Sequence, residues 1–196
     1  MKIFGCIIAG GTSSRMGQEK ALVQLGAHPL IAHVANRLGL QVETLGVNAN
    51  GDAARFAFLG LPVFADRLAT GGTPLAGLHA ALHYAKNAGF DAVLSVPSDT
   101  PFLPLNLRLR LEGSAPAIAA SQGQEHYLTG LWPVSLLPRL EAAITQRNLK
   151  RVWEWAALAE AKPVEWAAGN RDPFFNINTP QDLAQAETYL ALSEKL

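Results

Sequence analysis

Cysteine is almost absent from this chain of 196 residues: Cys6 stands alone, so no intramolecular disulfide can form. A lone cysteine fits a reducing compartment. Net charge is absent as well, because 16 lysines and arginines balance 16 aspartates and glutamates. A general nucleic-acid binder needs a basic stripe to displace counterions from phosphates, and this balance argues against that role. It leaves open one small anionic ligand held by a few local cations. No apolar run approaches the ~20 residues that span a bilayer, so no membrane partner is expected. The apolar start, Ile3 to Ala9, is brief and leads straight into a glycine turn carrying Arg15 and Lys20. That favours a first strand over a short signal peptide, and a cytoplasmic location follows. At 16% charged and 49% hydrophobic residues, the chain is too apolar to be disordered. The length suits one domain over 1–196, with chain enough to bury a core.

What is present alternates. Strands are expected at 3–9, 41–47, 61–65, 91–96, 115–121, 126–133 and 174–177. Helical spacing covers 29–38, 139–145 and 151–158, with Pro29 in a first turn. Thr73-Pro74 reads as N-cap and first residue of a helix running to about Gly89, and Thr179-Pro180 opens a final helix. Strands separated by helices of this length imply βαβ units: an α/β, Rossmann-like three-layer α/β/α domain with a mostly parallel sheet. Ligands of such sheets sit outside the carboxyl ends of the strands. The unusual polar residues cluster there.

The first cluster is Ile8-Ala9-Gly10-Gly11-Thr12-Ser13-Ser14-Arg15-Met16-Gly17-Gln18-Glu19-Lys20. Paired glycines let a backbone approach a ligand and expose its amides. Three hydroxyls, a forked guanidinium and a point-like ammonium follow, a set that can cradle a triphosphate. It is not a P-loop, since Gly17 is followed by Gln18, and it lacks the G-x-G-x-x-G spacing of a dinucleotide fingerprint. On residues alone it reads equally well as a strand-to-helix turn with surface cations. Asp66 precedes a capped helix start, where free amides and a partial positive charge suit an anion. A surface aspartate before a helix is the plain alternative. Asp99, in Val96-Pro97-Ser98-Asp99-Thr100-Pro101-Phe102, sits on a stiff turn. A single carboxylate there suits Mg2+, which takes one or two carboxylates plus phosphate oxygens, although aspartate beside proline is also an ordinary turn.

The glycine string resembles L-A-G-G-x-S-x-R-M-G-x-x-K, the signature of nucleotide-sugar-type nucleotidyltransferases, and it continues through Ala21-Leu22, Gly26 and Pro29-Leu30-Ile31. Asp66 to Leu78 is similar to the D-x(n)-G-P-L-A-G-L segment of the molybdenum cofactor guanylyltransferases, with Thr73 where glycine is usual. Pro97 to Phe102 resembles P-x-D-x-P-F, and Phe174-Phe175-Asn176-Ile177-Asn178-Thr179-Pro180-Gln181-Asp182-Leu183 resembles F-x-N-I-N-T-P-E-D-L. The four motifs stand in the family's order from Ile7 to Leu183. The resemblance implies the nucleotide-diphospho-sugar transferase fold. It implies nucleotide contacts at Ile8, Ala9, Gly10, Gly11, Lys20, Asn48, Asp66 and Asp99. It assigns Mg2+, with Mn2+ as the alternative ion, to Asp99, and acceptor-side contacts to Asn176 and Asn178.

The implied reaction transfers GMP from GTP to the phosphate of Mo-molybdopterin, with Arg15, Lys20 and Asp99 as the catalytic set. An attacking phosphate needs no strong base, only positioning and charge neutralisation. Cofactor-synthesis proteins and recipient molybdoenzymes or their chaperones are the expected partners. A cytidylyltransferase on the same pterin, a sugar-phosphate nucleotidyltransferase and a non-catalytic nucleotide-binding protein remain the alternatives. His79 and His83 share a helix face but lack a third ligand, so they are expected on an ordinary helix surface. Cys6 is expected to be a buried small hydrophobe.

Overall fold

The structure is a computed structural model and describes residues 1–10, 19–69 and 72–193. Its centre is a seven-stranded sheet. β1 (Ile3–Ile8) pairs in parallel with β4 (Thr44–Asn48) on one side and with β6 (Ala92–Pro97) on the other. β4 carries β5 (Val63–Phe64), also parallel. Beyond β6 lies β8 (Gln124–Pro133), the one reversed strand. β7 (Ala117–Ser121) pairs antiparallel to β8, and β9 (Lys162–Trp166) adds parallel to β7, giving the order β5-β4-β1-β6-β8-β7-β9. A two-stranded ribbon, β2 (Gln24–Leu25) with β3 (His28–Pro29), lies apart from it.

Both sheet faces are covered, and β1 shows why. Ile3 and Ile7 point into one apolar cluster with Ile31, Val34 and Leu38 of α1 (Leu30–Gly39) and Leu107 and Leu111 of α3 (Leu107–Glu112). Phe4, Cys6 and Ile8 point into the other, with Leu75, Leu78 and Leu82 of α2 (Pro74–Asn87). The same face holds Leu140 and Ile144 of α4 (Leu137–Arg147) and Trp155 of α5 (Val152–Leu158). A strand buried on both faces needs continuous apolar residues rather than alternation, which is what Ile3 to Ile8 supplies. The expected three-layer α/β arrangement is therefore present. A third cluster joins Val23, Leu25 and Leu30 to Phe102, Ile177 and Ala186, packing α6 (Pro180–Ser193) onto the ribbon. Among the described residues no helix is long and apolar enough to cross a membrane.

Three local expectations are corrected. No strand forms at 174–177. The amides of Phe174 and Phe175 turn back to Asp172, and that of Ile177 bonds to Asp99 O, so the segment is an irregular strap. The seventh strand is β9, whose Pro163 is tolerated because nothing pairs beyond it. Gln41 to Glu43 lie before β4 rather than in it, because the buried Gln41 side chain bonds to Arg37 O, Pro104 O and the amide of Arg108. His79 is buried between α2 and α4, not on a helix surface; its Nε2 lies 3.7 Å from Glu141, and among the described residues neither ring nitrogen has a hydrogen-bond partner. Burial holds this imidazole below the usual histidine range. Cys6 is buried as expected, and desolvation pushes its thiol up.

Candidate active site

Because β1, β4, β5 and β6 are parallel, their carboxyl ends share one edge, and the chain turns out of each strand there. Ile8 and Ala9 are buried at the end of β1, and Ala9 donates its amide to Asn48 O at 2.9 Å. Among the described residues, a side chain at Gly10 would meet nothing nearer than Asn48 Oδ1 at 3.8 Å. Gly11 and Arg15 lie outside the described residues.

Asn48 ends β4 and is buried. Its Nδ2 donates to Asp66 Oδ1 at 3.1 Å and to Phe64 O at 3.3 Å. Asn50 brackets the same aspartate, with Nδ2 on Asp66 Oδ2 at 2.8 Å and Oδ1 receiving the Asp66 amide at 2.9 Å. Two amides thus hold one carboxylate in a fixed plane and leave lone pairs for a donor-rich ligand. Beside them α2 begins. Thr73 is its N-cap, accepting from the Ala76 amide at 3.3 Å with an extended backbone, so the position does not need glycine. The left-handed residue is its neighbour Gly72, at φ 71°.

The second cluster centres on Lys20, which opens a short 3-10 turn over Lys20–Leu22. Its ammonium donates to Asp99 Oδ2, to Asn178 Oδ1 and, at 3.2 Å, to Asn176 Oδ1. The amide of Ile177, between those asparagines, donates to Asp99 O at 3.1 Å. Residues 79 and 156 positions from Lys20 are therefore brought onto one nitrogen. Burial pushes the Asp99 carboxyl up, against the pull of Lys20. Among the described residues its buried Oδ1 has no hydrogen-bond partner, and a hard cation would satisfy it. Among the described residues no three His, Cys, Asp or Glu side chains gather to hold a metal. A single carboxylate fits Mg2+ that takes its other ligands from phosphate and water.

The asparagine pair is anchored from behind. Asp182 accepts the amides of Asn178 and Thr179 at 2.9 and 2.8 Å, and Thr179 Oγ1 accepts that of Asp182 at 3.1 Å. This reciprocal cap is legible in Thr179-Pro180-Gln181-Asp182. Two contributors were missed from sequence. Asn50 lies two residues after Asn48, and that spacing was its only signal. Arg55 pairs with Glu19 at 3.0 Å and donates to Asn50 O at 2.6 Å, so it ties the residue before Lys20 to the Asn50–Asp66 bracket. No local pattern announces it.

Comparison with known proteins adds a family to this geometry. The family described as MobA-like NTP transferase domain matches residues 5–162. A molybdenum cofactor guanylyltransferase of Rhodobacter capsulatus is 47% identical, covering 97% of each chain. That of Cereibacter sphaeroides is 44% identical, over 97% of this chain and 98% of its own. Among solved structures, molybdopterin-guanine dinucleotide biosynthesis protein A of Archaeoglobus fulgidus superposes with a TM-score of 0.73, covering 96% of this chain and 99% of its own; at 23% identity it speaks for the fold alone.

Proposed function

The chain belongs to the MobA-like NTP transferase family, and on that premise we propose that this nucleotidyltransferase moves GMP from GTP to the terminal phosphate of Mo-molybdopterin. The products are molybdopterin guanine dinucleotide and pyrophosphate. One observation carries the reading: Lys20, Asp99, Asn176 and Asn178 converge on one point at the sheet edge that also carries the braced carboxylate of Asp66.

The acceptor phosphate attacks the α-phosphorus of GTP in line. One P–O bond forms as the bond to the β-phosphate breaks, and the electron pair leaves with pyrophosphate. No covalent enzyme intermediate is needed, because the attacking oxygen is already anionic. The chain's own work is positioning and charge neutralisation. The backbone from Ile8 through Gly10 and Gly11 carries the nucleotide. Asp66, held by Asn48 and Asn50, accepts hydrogen bonds from the nucleoside. Lys20 and Arg15 meet the charge gathering on the leaving pyrophosphate. Asn176 and Asn178 orient Lys20 and border the acceptor. Asp99 is the residue to hold Mg2+ or Mn2+, which when bound offsets phosphate charge.

A cytoplasmic location belongs to this reading, on the strength of the unpaired Cys6, as does a single domain over 1–196. Cofactor-synthesis proteins and recipient molybdoenzymes or their chaperones are its protein partners by the same inference.

The test is pyrophosphate release with Mo-molybdopterin as acceptor and GTP or CTP as donor. GTP is expected to react and CTP not. Lys20→Ala and Asp99→Ala are each expected to lower turnover ~100-fold or more while the circular dichroism spectrum is kept. Near-normal turnover in both variants overturns the assignment of the site, and a preference for CTP overturns the choice of base.

A further inference from the structure

Three polar side chains at the same sheet edge have no part in the mechanism above. Ser121 ends β7, His126 lies early on β8 and Asp172 begins the strap that carries Asn176 and Asn178. β8 reverses against both β6 and β7, so β7 runs parallel to β6 and Ser121 stands on the Asp99 side of the sheet. Ser121 is fully buried. Its Oγ lies 2.7 Å from Asp172 Oδ1 and 2.7 Å from His126 Nε2.

Proton counting sets the roles. A carboxylate only accepts, so the hydroxyl gives its single proton to Asp172, and its oxygen then receives the Nε2–H of His126. Asp172 Oδ1 also accepts the Phe174 amide at 2.9 Å. This order is wrong for a nucleophile, which needs the imidazole between hydroxyl and carboxylate. What the chain of bonds fastens is backbone. The Phe174 ring packs on His126, with centroids 4.8 Å apart, and edge-on to Trp166 at 5.3 Å. Three residues later Ile177 bonds to Asp99 O. The strap is thus pinned at both ends of the span 174–177, and Asn176 lies within it.

We propose that Asp172, Ser121 and His126 are positioning residues. Their hydrogen-bond chain sets the strap against the sheet and so sets where the amide oxygens of Asn176 and Asn178 meet Lys20 and the acceptor phosphate. The kinetic part rests on the transferase reading; the structural part does not.

The experiment compares the full-length parent with Ser121→Ala, Asp172→Ala and Asp172→Asn, the last of which keeps the Oδ1 acceptor. Loss of one such bond is expected to speed hydrogen exchange at the Phe174 and Ile177 amides ~10-fold in both alanine variants, with β1 amides unchanged. In steady-state assays KM for Mo-molybdopterin is expected to rise ~10-fold in those variants, while GTP affinity without acceptor stays within ~3-fold. Asp172→Asn is expected to return both readouts to within ~3-fold of the parent. Unchanged exchange at both amides overturns the proposal, as does a uniform loss of protection across the sheet. A parent that fails to transfer GMP overturns the function instead, and the exchange data still decide the clamp.

Discussion

Gly77→Ala tests whether α2 and the Asn48–Asp66 bracket form one unit. Gly77 lies in the first turn of α2, against the ends of β1 and β4. A Cβ at this position would stand 2.3 Å from Asn48 Oδ1, 3.0 Å from Ile8 Cγ2 and 3.2 Å from Asn48 Cγ. Asn48 cannot swing aside freely, because its Nδ2 holds both Asp66 and Phe64 O. Either α2 moves outward or the amide releases Asp66. Overpacking of this kind costs about 1–3 kcal/mol. Alanine also gains up to ~1 kcal/mol over glycine in a helix interior, and less in a first turn. The steric cost wins, leaving a net loss of roughly 1–2 kcal/mol. For a chain of this length that lowers Tm by about 2–8 °C. Thermal unfolding of Gly77→Ala, Asn48→Ala and the double variant is the assay. Asn48→Ala removes the clashing oxygen, so the double variant should be more stable than the sum of the singles by at least ~0.5 kcal/mol. A Gly77→Ala protein that melts no lower than the parent, or strict additivity, refutes the reasoning.

Two other expectations concern buried titratable groups. His79 is held below the usual histidine range by burial, so unfolded chains bind a proton that the folded state refuses. Its contribution is fully present above the unfolded pKa of about 6.5 and is lost as pH falls below that value. His79→Leu should therefore lose less Tm between pH 8 and pH 5 than the parent; parallel curves would show that His79 binds protons equally in the folded and unfolded states. The Cys6 thiol, buried and pushed up, should resist a thiol reagent in the native protein and react when denaturant unfolds it. Rapid native labelling would contradict its burial.

The elements legible in sequence are those whose signal is local. Ile3 to Ile8 reads as a buried strand because both its faces are apolar, and Thr73 and Thr179 announce helices because capping needs only neighbours. β9 was not legible, because an edge strand such as Lys162–Trp166 is largely exposed and carries no continuous apolar run. Phe174 and Ile177 are apolar for packing, not for pairing, so the strap imitated a strand. The site divides the same way. Lys20, Asp99, Asn176 and Asn178 each stand in a resemblance motif, yet their meeting on one ammonium depends on the fold. Arg55, Ser121 and His126 act through contacts set by the tertiary structure, and His79 looked like a surface residue because the helix that covers it, α4, lies some sixty residues later.

Lys20 explains why the strap presents amides rather than acids. An ammonium has three donors, and three oxygens take them: one from Asp99 and one each from Asn176 and Asn178. In the proposed reaction, a phosphate that comes to Lys20 would have to replace one of them. Displacing Asp99 separates opposite charges in a largely buried site, whereas displacing a neutral amide exchanges one hydrogen bond for a stronger, charge-assisted one. The asparagines are therefore the exchangeable partners, and a released amide can turn its own N–H toward a phosphate oxygen. Carboxylates at 176 and 178 would hold Lys20 more tightly, add two negative charges beside Asp99 and repel the incoming phosphate. On the proposed function, the residue type at these positions follows from what the cation would give up when a phosphate arrives.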